Sequence, residues 1–117
     1  MAGPDSLGLL AGEREVHITI VRSKTGKRRT IPVWFTTHGR NMELLPMYGL
    51  KTKWFIDVQK SGEAELRVKD WSAKARPSVV RDSDEIDRIK QRFSEKYGER
   101  EVKMYYPAIE VALLISF

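Results

Sequence analysis

Period-two alternation of apolar and polar residues dominates this chain and restricts it to a fold built mainly of strands. Val16, Ile18 and Ile20 point one way while His17 and Thr19 point the other, the pattern of a half-buried strand. Ala64, Leu66 and Val68 repeat it over residues 63–69, and Ala73, Ala75 and Val79 over 72–81, where Pro77 interrupts. At the C-terminus Ile109, Val111, Leu113, Ile115 and Phe117 alternate with Glu110, Ala112, Leu114 and Ser116. The second face of that last strand is also mostly apolar, so it is expected to be covered on both sides. Two further strands are expected over 29–37 and 42–46, bounded by turn signals at Thr25-Gly26 and His38-Gly39-Arg40-Asn41. Pro32 cannot donate a ladder hydrogen bond, so its strand is an edge, carries a bulge, or meets a ligand there.

Two segments break to helical spacing. Trp54, Phe55 and Val58 predict a short helix over 53–60 that ends at Gly62. Ile86, Ile89, Phe93 and Tyr97 form a longer stripe, opened by a capping pair, Asp82 and Glu85, and closed by Gly98. Residues 99–104 read as a polar link, and Asp70-Trp71 as a turn. Residues 1–13 read as a loose arm with a short helical turn at 6–10, and 14–117 as one domain. The predicted architecture is mainly β: a six-stranded antiparallel barrel, with a short helix between strands three and four and a longer helix before the last strand.

The chain has 117 residues, long enough to bury a core without staples. It has no cysteine, which removes disulfides, thiolate chemistry and cysteine-type zinc sites. His17 and His38 read as surface residues, so no metal site is expected. No apolar run approaches the ~20 residues of a membrane span, and no signal peptide is apparent, so a cytoplasmic location is expected. The net charge of +5 is unevenly placed. Residues 14–60 hold ten Lys/Arg and three Asp/Glu, a net of +7, whereas residues 61–117 hold eleven of each. An anionic partner is favoured by the basic half, and a merely soluble basic surface is the plainer alternative.

The stretch Ser23-Lys24-Thr25-Gly26-Lys27-Arg28-Arg29-Thr30-Ile31-Pro32-Val33-Trp34-Phe35 runs a turn with four cations straight into an apolar strand. That suits a ligand with an anionic tail and an aromatic head. Arg28 and Arg29 alternate across the strand, so at most one enters a groove. Arg29 is favoured because it shares a face with Ile31 and Val33. Trp34 is open between core packing and ligand contact, and Lys27 between solvent and phosphate. Trp54 and Phe55 read as core. Tyr105 and Tyr106 either line a substrate pocket or pack under the long helix. No Ser/His/Asp or paired-carboxylate set is present, so no catalytic side chain is assigned and a cofactor is expected to carry the chemistry.

The order of these pieces resembles the deazaflavin-dependent nitroreductase and quinone-reductase family. That family belongs to the flavin-reductase-like split β-barrels, beside the pyridoxamine-phosphate-oxidase-like proteins. The resemblance spans residues 16–117. It rests on Thr25-Gly26-Lys27-Arg28-Arg29-Thr30-Ile31-Pro32-Val33-Trp34, on Leu44-Leu45-Pro46-Met47-Tyr48-Gly49, and on Lys51-Thr52-Lys53-Trp54-Phe55-Ile56-Asp57-Val58. The chain departs from the family in having Met47-Tyr48-Gly49-Leu50 where a Ser-Lys-Gly-Gly type loop and a longer spacer are usual. The resemblance implies that Lys27, Arg29 and Thr30 meet a cofactor phosphate. It also implies that Pro32, Val33 and Trp34 line the ring and that Pro46, Met47, Tyr48 and Gly49 lie beside it, while Lys51 and Thr52 sit just before the short helix, whose N-terminal amides favour an anion. The implied activity is hydride transfer from a reduced deazaflavin, coenzyme F-420, to a quinone- or nitro-type acceptor, in a homodimer. FMN on the same fold is the alternative cofactor. A small basic barrel that binds nucleic acid through Trp34, Tyr48 and the Lys24–Arg29 cluster is a rival of another class, and an inactive barrel is a fourth possibility.

Overall fold

The computed structural model describes residue 10 and residues 12–116. Most of the predicted arm, including its helical turn at 6–10 apart from residue 10, lies outside the described residues, as does Phe117. Among the described residues eight strands form two four-stranded antiparallel sheets. The first sheet contains β1 (Val16–Val21), β2 (Arg28–Val33), β5 (Ala64–Val68) and β6 (Trp71–Ala75), in the order β2-β1-β5-β6. The second contains β3 (Phe35–His38), β4 (Asn41–Leu44), β7 (Ser78–Val80) and β8 (Ala112–Ser116), in the order β3-β4-β8-β7. The helices are α1 (Lys53–Ser61), α2 (Ser83–Tyr97) and α3 (Glu99–Tyr105). No helix among the described residues is long and apolar enough to cross a membrane.

The count of eight corrects the expected six, and the reason is local. Two predicted strands each divide and pass from one sheet to the other. The 29–37 segment divides at Trp34, where Phe35 N–H leaves the ladder and donates to the Tyr97 hydroxyl at 3.0 Å. The 72–81 segment divides at Arg76-Pro77, where proline has no N–H to give. Pro32 is tolerated because β2 is an edge strand, paired only with β1.

The alternation sorts the interior as predicted. Val16, Ile18, Ile20, Leu66, Met42, Leu44, Leu113 and Ile115 come from both sheets and pack with Phe55 and Val58 of α1 in one core. α1 ends at Gly62 in the left-handed conformation (φ 76°). β8 is apolar on both faces because Ala112 and Leu114 meet a second core, built by Ile86, Ile89, Phe93 and Tyr97 of α2 with Val102 of α3. The Asp82 side chain accepts from Glu85 N–H at 3.0 Å, capping α2.

Residues 99–104 are a further correction, since the expected link is the helix α3. Its single buried apolar residue, Val102, shows no period. Acidic Glu99 and Glu101 open it, Lys103 closes it, and Lys103 pairs with Glu99 at 3.3 Å. The last strand is consequently shorter than expected and begins at Ala112. Trp71 opens β6, so the turn falls at Lys69-Asp70.

Candidate functional site

A groove of about 550 Å³ runs along the edge strand β2 and is closed by the 45–53 segment and the end of α3. A volume of this size suits a ring system with a tail. Arg29, Ile31 and Val33 pair in register with Ile20, Ile18 and Val16, all buried, so these three share the inward face of β2. They line the groove with Pro32 and Trp34. Alternation turns their neighbours outward. Arg28 pairs with Glu65 at 2.9 Å, and Thr30 hydrogen-bonds Thr19 at 2.7 Å.

The opposite wall is built by a tight loop and a helix start. Gly49 (φ 60°) begins a 3-10 turn over Gly49–Lys51. A Cβ at Gly49 would lie 2.5 Å from Glu110 Oε1, the same oxygen that accepts from Leu50 N–H at 3.1 Å. Thr52 Oγ1 accepts from Tyr48 N–H at 2.9 Å and leaves the first turn of α1 without a side-chain cap. Lys51, Thr52 and Lys53 line the groove at that helix N-terminus, where free amides and partial positive charge favour an anion.

The other end is aromatic. Trp34 stacks on Tyr97 with centroids 4.2 Å apart and planes 5° from parallel. Tyr105 meets Trp34 edge-on at 5.4 Å, and Tyr106 is tilted at 6.0 Å. The Tyr97 hydroxyl accepts from Phe35 N–H and lies 2.7 Å from Arg14 O and 2.9 Å from Phe35 O. Burial pushes its pKa up to about 12, so it remains a donor. Lys96 Nζ donates to Phe35 O at 2.9 Å, and burial, then the Arg14 charge, lower it to about 8. Burial likewise raises Tyr106 well above the ordinary tyrosine value. The strand switch at Trp34 is thus held by Tyr97 and Lys96.

Ten of the residues singled out from sequence meet in this groove: Arg29, Pro32, Val33, Trp34, Met47, Tyr48, Lys51, Thr52, Tyr105 and Tyr106. Four do not line it. Lys27 stays in the β1–β2 turn, where its N–H donates to Thr25 Oγ1 at 3.2 Å. Thr30 faces outward, while Pro46 and Gly49 shape the loop behind its lining residues. Sequence reasoning missed Glu15, Leu45, Lys53 and Trp54 as groove residues. Trp54 is core as read, only 7% exposed, yet it reaches the groove as well. Lys53 carried a signal, since it follows Thr52 at the helix start. Glu15 carried none, because it precedes β1 and only the pairing of β1 with β2, which begins at Val16 and Val33, brings it to the groove.

A family model described as "Uncharacterized protein conserved in bacteria (DUF2255)" matches residues 6–113, and the chain belongs to that family. No curated protein matches it. Solved structures share its fold at low identity. An F420-H2 dependent reductase (FDR-A) is 14% identical with a TM-score of 0.68, over 89% of this chain and 95% of that one. The haem storage protein HutZ from Vibrio cholerae is 14% identical with a TM-score of 0.71, over 99% of this chain and 90% of that one. A pyridoxamine 5'-phosphate oxidase, so described provisionally, from Listeria innocua is 14% identical with a TM-score of 0.68, over 95% and 89%. The chain therefore has the mainly β fold shared by these reductase-like and oxidase-like proteins.

Proposed function

We propose that this member of the DUF2255 family is a cofactor-binding oxidoreductase that uses a reduced deazaflavin, coenzyme F-420, to reduce a quinone- or nitro-type acceptor. One observation carries the reading. Arg29, Lys51 and Lys53 share a single groove with the apolar wall of Ile31, Val33 and Trp54 and with the Trp34–Tyr105–Tyr106 aromatic end. The groove's volume, three cations and flat wall fit a phosphate-bearing flavin-type group.

Arg29, Lys51 and the α1 amides would hold the anionic tail. Ile31, Val33 and Trp54 would cover the ring and exclude water. Such a cofactor supplies a hydride when bound, and no catalytic side chain is required for that transfer. Tyr106, kept protonated by burial, can donate a hydrogen bond to an acceptor oxygen. In this reading the protein works as a homodimer in the cytoplasm.

FMN is the second reading, and a specific observation favours it. Of the four turn cations only Arg29 lines the groove, while Arg28 is engaged by Glu65. Fewer cations suit one phosphate better than a polyanionic tail. The test is a parallel fluorescence and absorbance titration with coenzyme F-420 and with FMN. Tight F-420 binding with weak FMN binding is expected. FMN binding alone moves the protein to the second reading, and binding of neither overturns both.

A further inference from the structure

We infer that the end of the groove bounded by Glu15 and Trp34 is a subsite for an organic cation, an alkylammonium or protonated aromatic amine. The inference rests on reading the groove as a ligand site, but not on which cofactor occupies it.

Glu15 is the one carboxylate among the described groove-lining residues. It is exposed, and among the described residues no hydrogen bond or ion pair engages it. The neighbouring acid Glu13, by contrast, is paired with Lys69 at 3.1 Å. Arg14 lies over the Tyr97 ring at 5.0 Å and does not line the groove. Glu15 therefore offers an uncompensated negative charge to whatever enters.

Three rings share the groove with that charge. Tyr97 covers one face of Trp34, and Trp34 itself lines the groove with Tyr105 and Tyr106. Ring faces carry negative potential and attract cations, most strongly where water is displaced. Tyr106 is only 6% exposed, yet its hydroxyl has no hydrogen-bond partner among the described residues. That hydroxyl is free to accept an N–H from a ligand.

The remaining charges fix where a cation can sit. Arg29 lies five residues from Trp34 along the strand, about 16 Å at ~3.3 Å per residue. Arg29, Lys51 and Lys53, which line the same groove, repel an ammonium group, and Glu15 attracts one. An anionic cofactor tail would be drawn to the three cations and a cationic acceptor to Glu15.

The test uses two nearly isosteric probes, protonated benzylamine and neutral benzyl alcohol, at pH 7 and low salt, on the cofactor-free full chain. Binding is read by tryptophan fluorescence and by saturation-transfer NMR. Benzylamine should bind about tenfold more tightly than benzyl alcohol, the combined effect of cation–π attraction and one exposed charge. In Glu15→Gln, which keeps shape and an acceptor oxygen, the preference should fall to the few-fold that the rings alone supply, while the circular dichroism stays unchanged. Equal affinity of the two probes for the unaltered protein overturns the inference, as does a preference undiminished in Glu15→Gln. The cofactor titration is a separate readout. Loss of F-420 and FMN binding with cation preference intact sinks the oxidoreductase reading and leaves the subsite standing.

Discussion

β4 and β2 are both antiparallel strands beside the main core, and they differ in almost everything else. β4 lies between β3 and β8, and Met42, Glu43 and Leu44 are all buried. β2 has one neighbour, and its inward residues Ile31 and Val33 remain half-exposed. Even the polar residue of β4 is enclosed. Glu43 accepts from Thr36 Oγ1 at 2.7 Å and from Arg92 Nε at 2.8 Å, with a second bond from the same guanidinium. The charged residue of β2, Arg29, lies in an open groove instead. A strand's place in its sheet, more than its composition, separates the part that holds the fold from the part that lines an open groove.

The largest effect should come from breaking β4. Arg92→Ala leaves Glu43 buried without its cation and should cost about 3–5 kcal/mol in urea unfolding. A loss under about 1 kcal/mol would mean that the pair is not enclosed as described. Next comes the joint between the two regions. Tyr97→Phe strips Phe35 N–H and Arg14 C=O of their partner and should cost about 1–3 kcal/mol. It should also loosen the Trp34 stack, seen as a shift in tryptophan emission.

The groove should behave in the opposite way. Arg29→Ala combined with Lys51→Ala should change stability by no more than about 0.5 kcal/mol, as exposed sites do. The same pair should weaken binding of the phosphate-bearing cofactor by more than about tenfold. Unchanged affinity would remove both residues from the anion site.

The smallest effects are pH-dependent. The Ser23 hydroxyl and backbone N–H bond Asp57 Oδ1 at 2.7 and 3.1 Å, and the hydroxyl bond is the larger cause of its lowered pKa. Asp57 therefore contributes stability that is present above its ordinary value of 3.8 and is lost as pH falls through the folded value. The deficit of Asp57→Asn at pH 7 should accordingly shrink in acid. Lys96 works at the other limit. Below pH 8 folded and unfolded chains both hold its proton. Between about 8 and 10.5 the unfolded chain holds more, so stability rises with pH. Relative to Lys96→Met, the unaltered protein should gain stability across that window. A flat difference would show that Lys96 is not desolvated.

Much of this was legible in the residues. Alternation at Val16–Ile20, Ala64–Val68 and 111–115 marked the strands because a two-sided sheet must sort side chains by face. Asp82, Gly62 and Gly98 marked helix ends because caps and positive φ are local demands. α3 was not legible, because one buried residue, Val102, makes no period. Pro77 hinted at the second strand division, but Trp34 did not announce the first. That division depends on Tyr97, which lies 62 residues on from the Phe35 N–H it receives.

The groove shows the same boundary between local and distant causes. The strand faces, the two marked helices and the choice of Arg29 over Arg28 were readable along the chain, since each follows from periods of 2 or 3.6 within one short segment. That Lys27 and Thr30 stand outside, and that Glu15, Lys53 and Trp54 stand within, came from folding alone. Membership of the groove depends on register between strands and on the approach of α1 and α3, which are contacts between distant residues that no local pattern encodes.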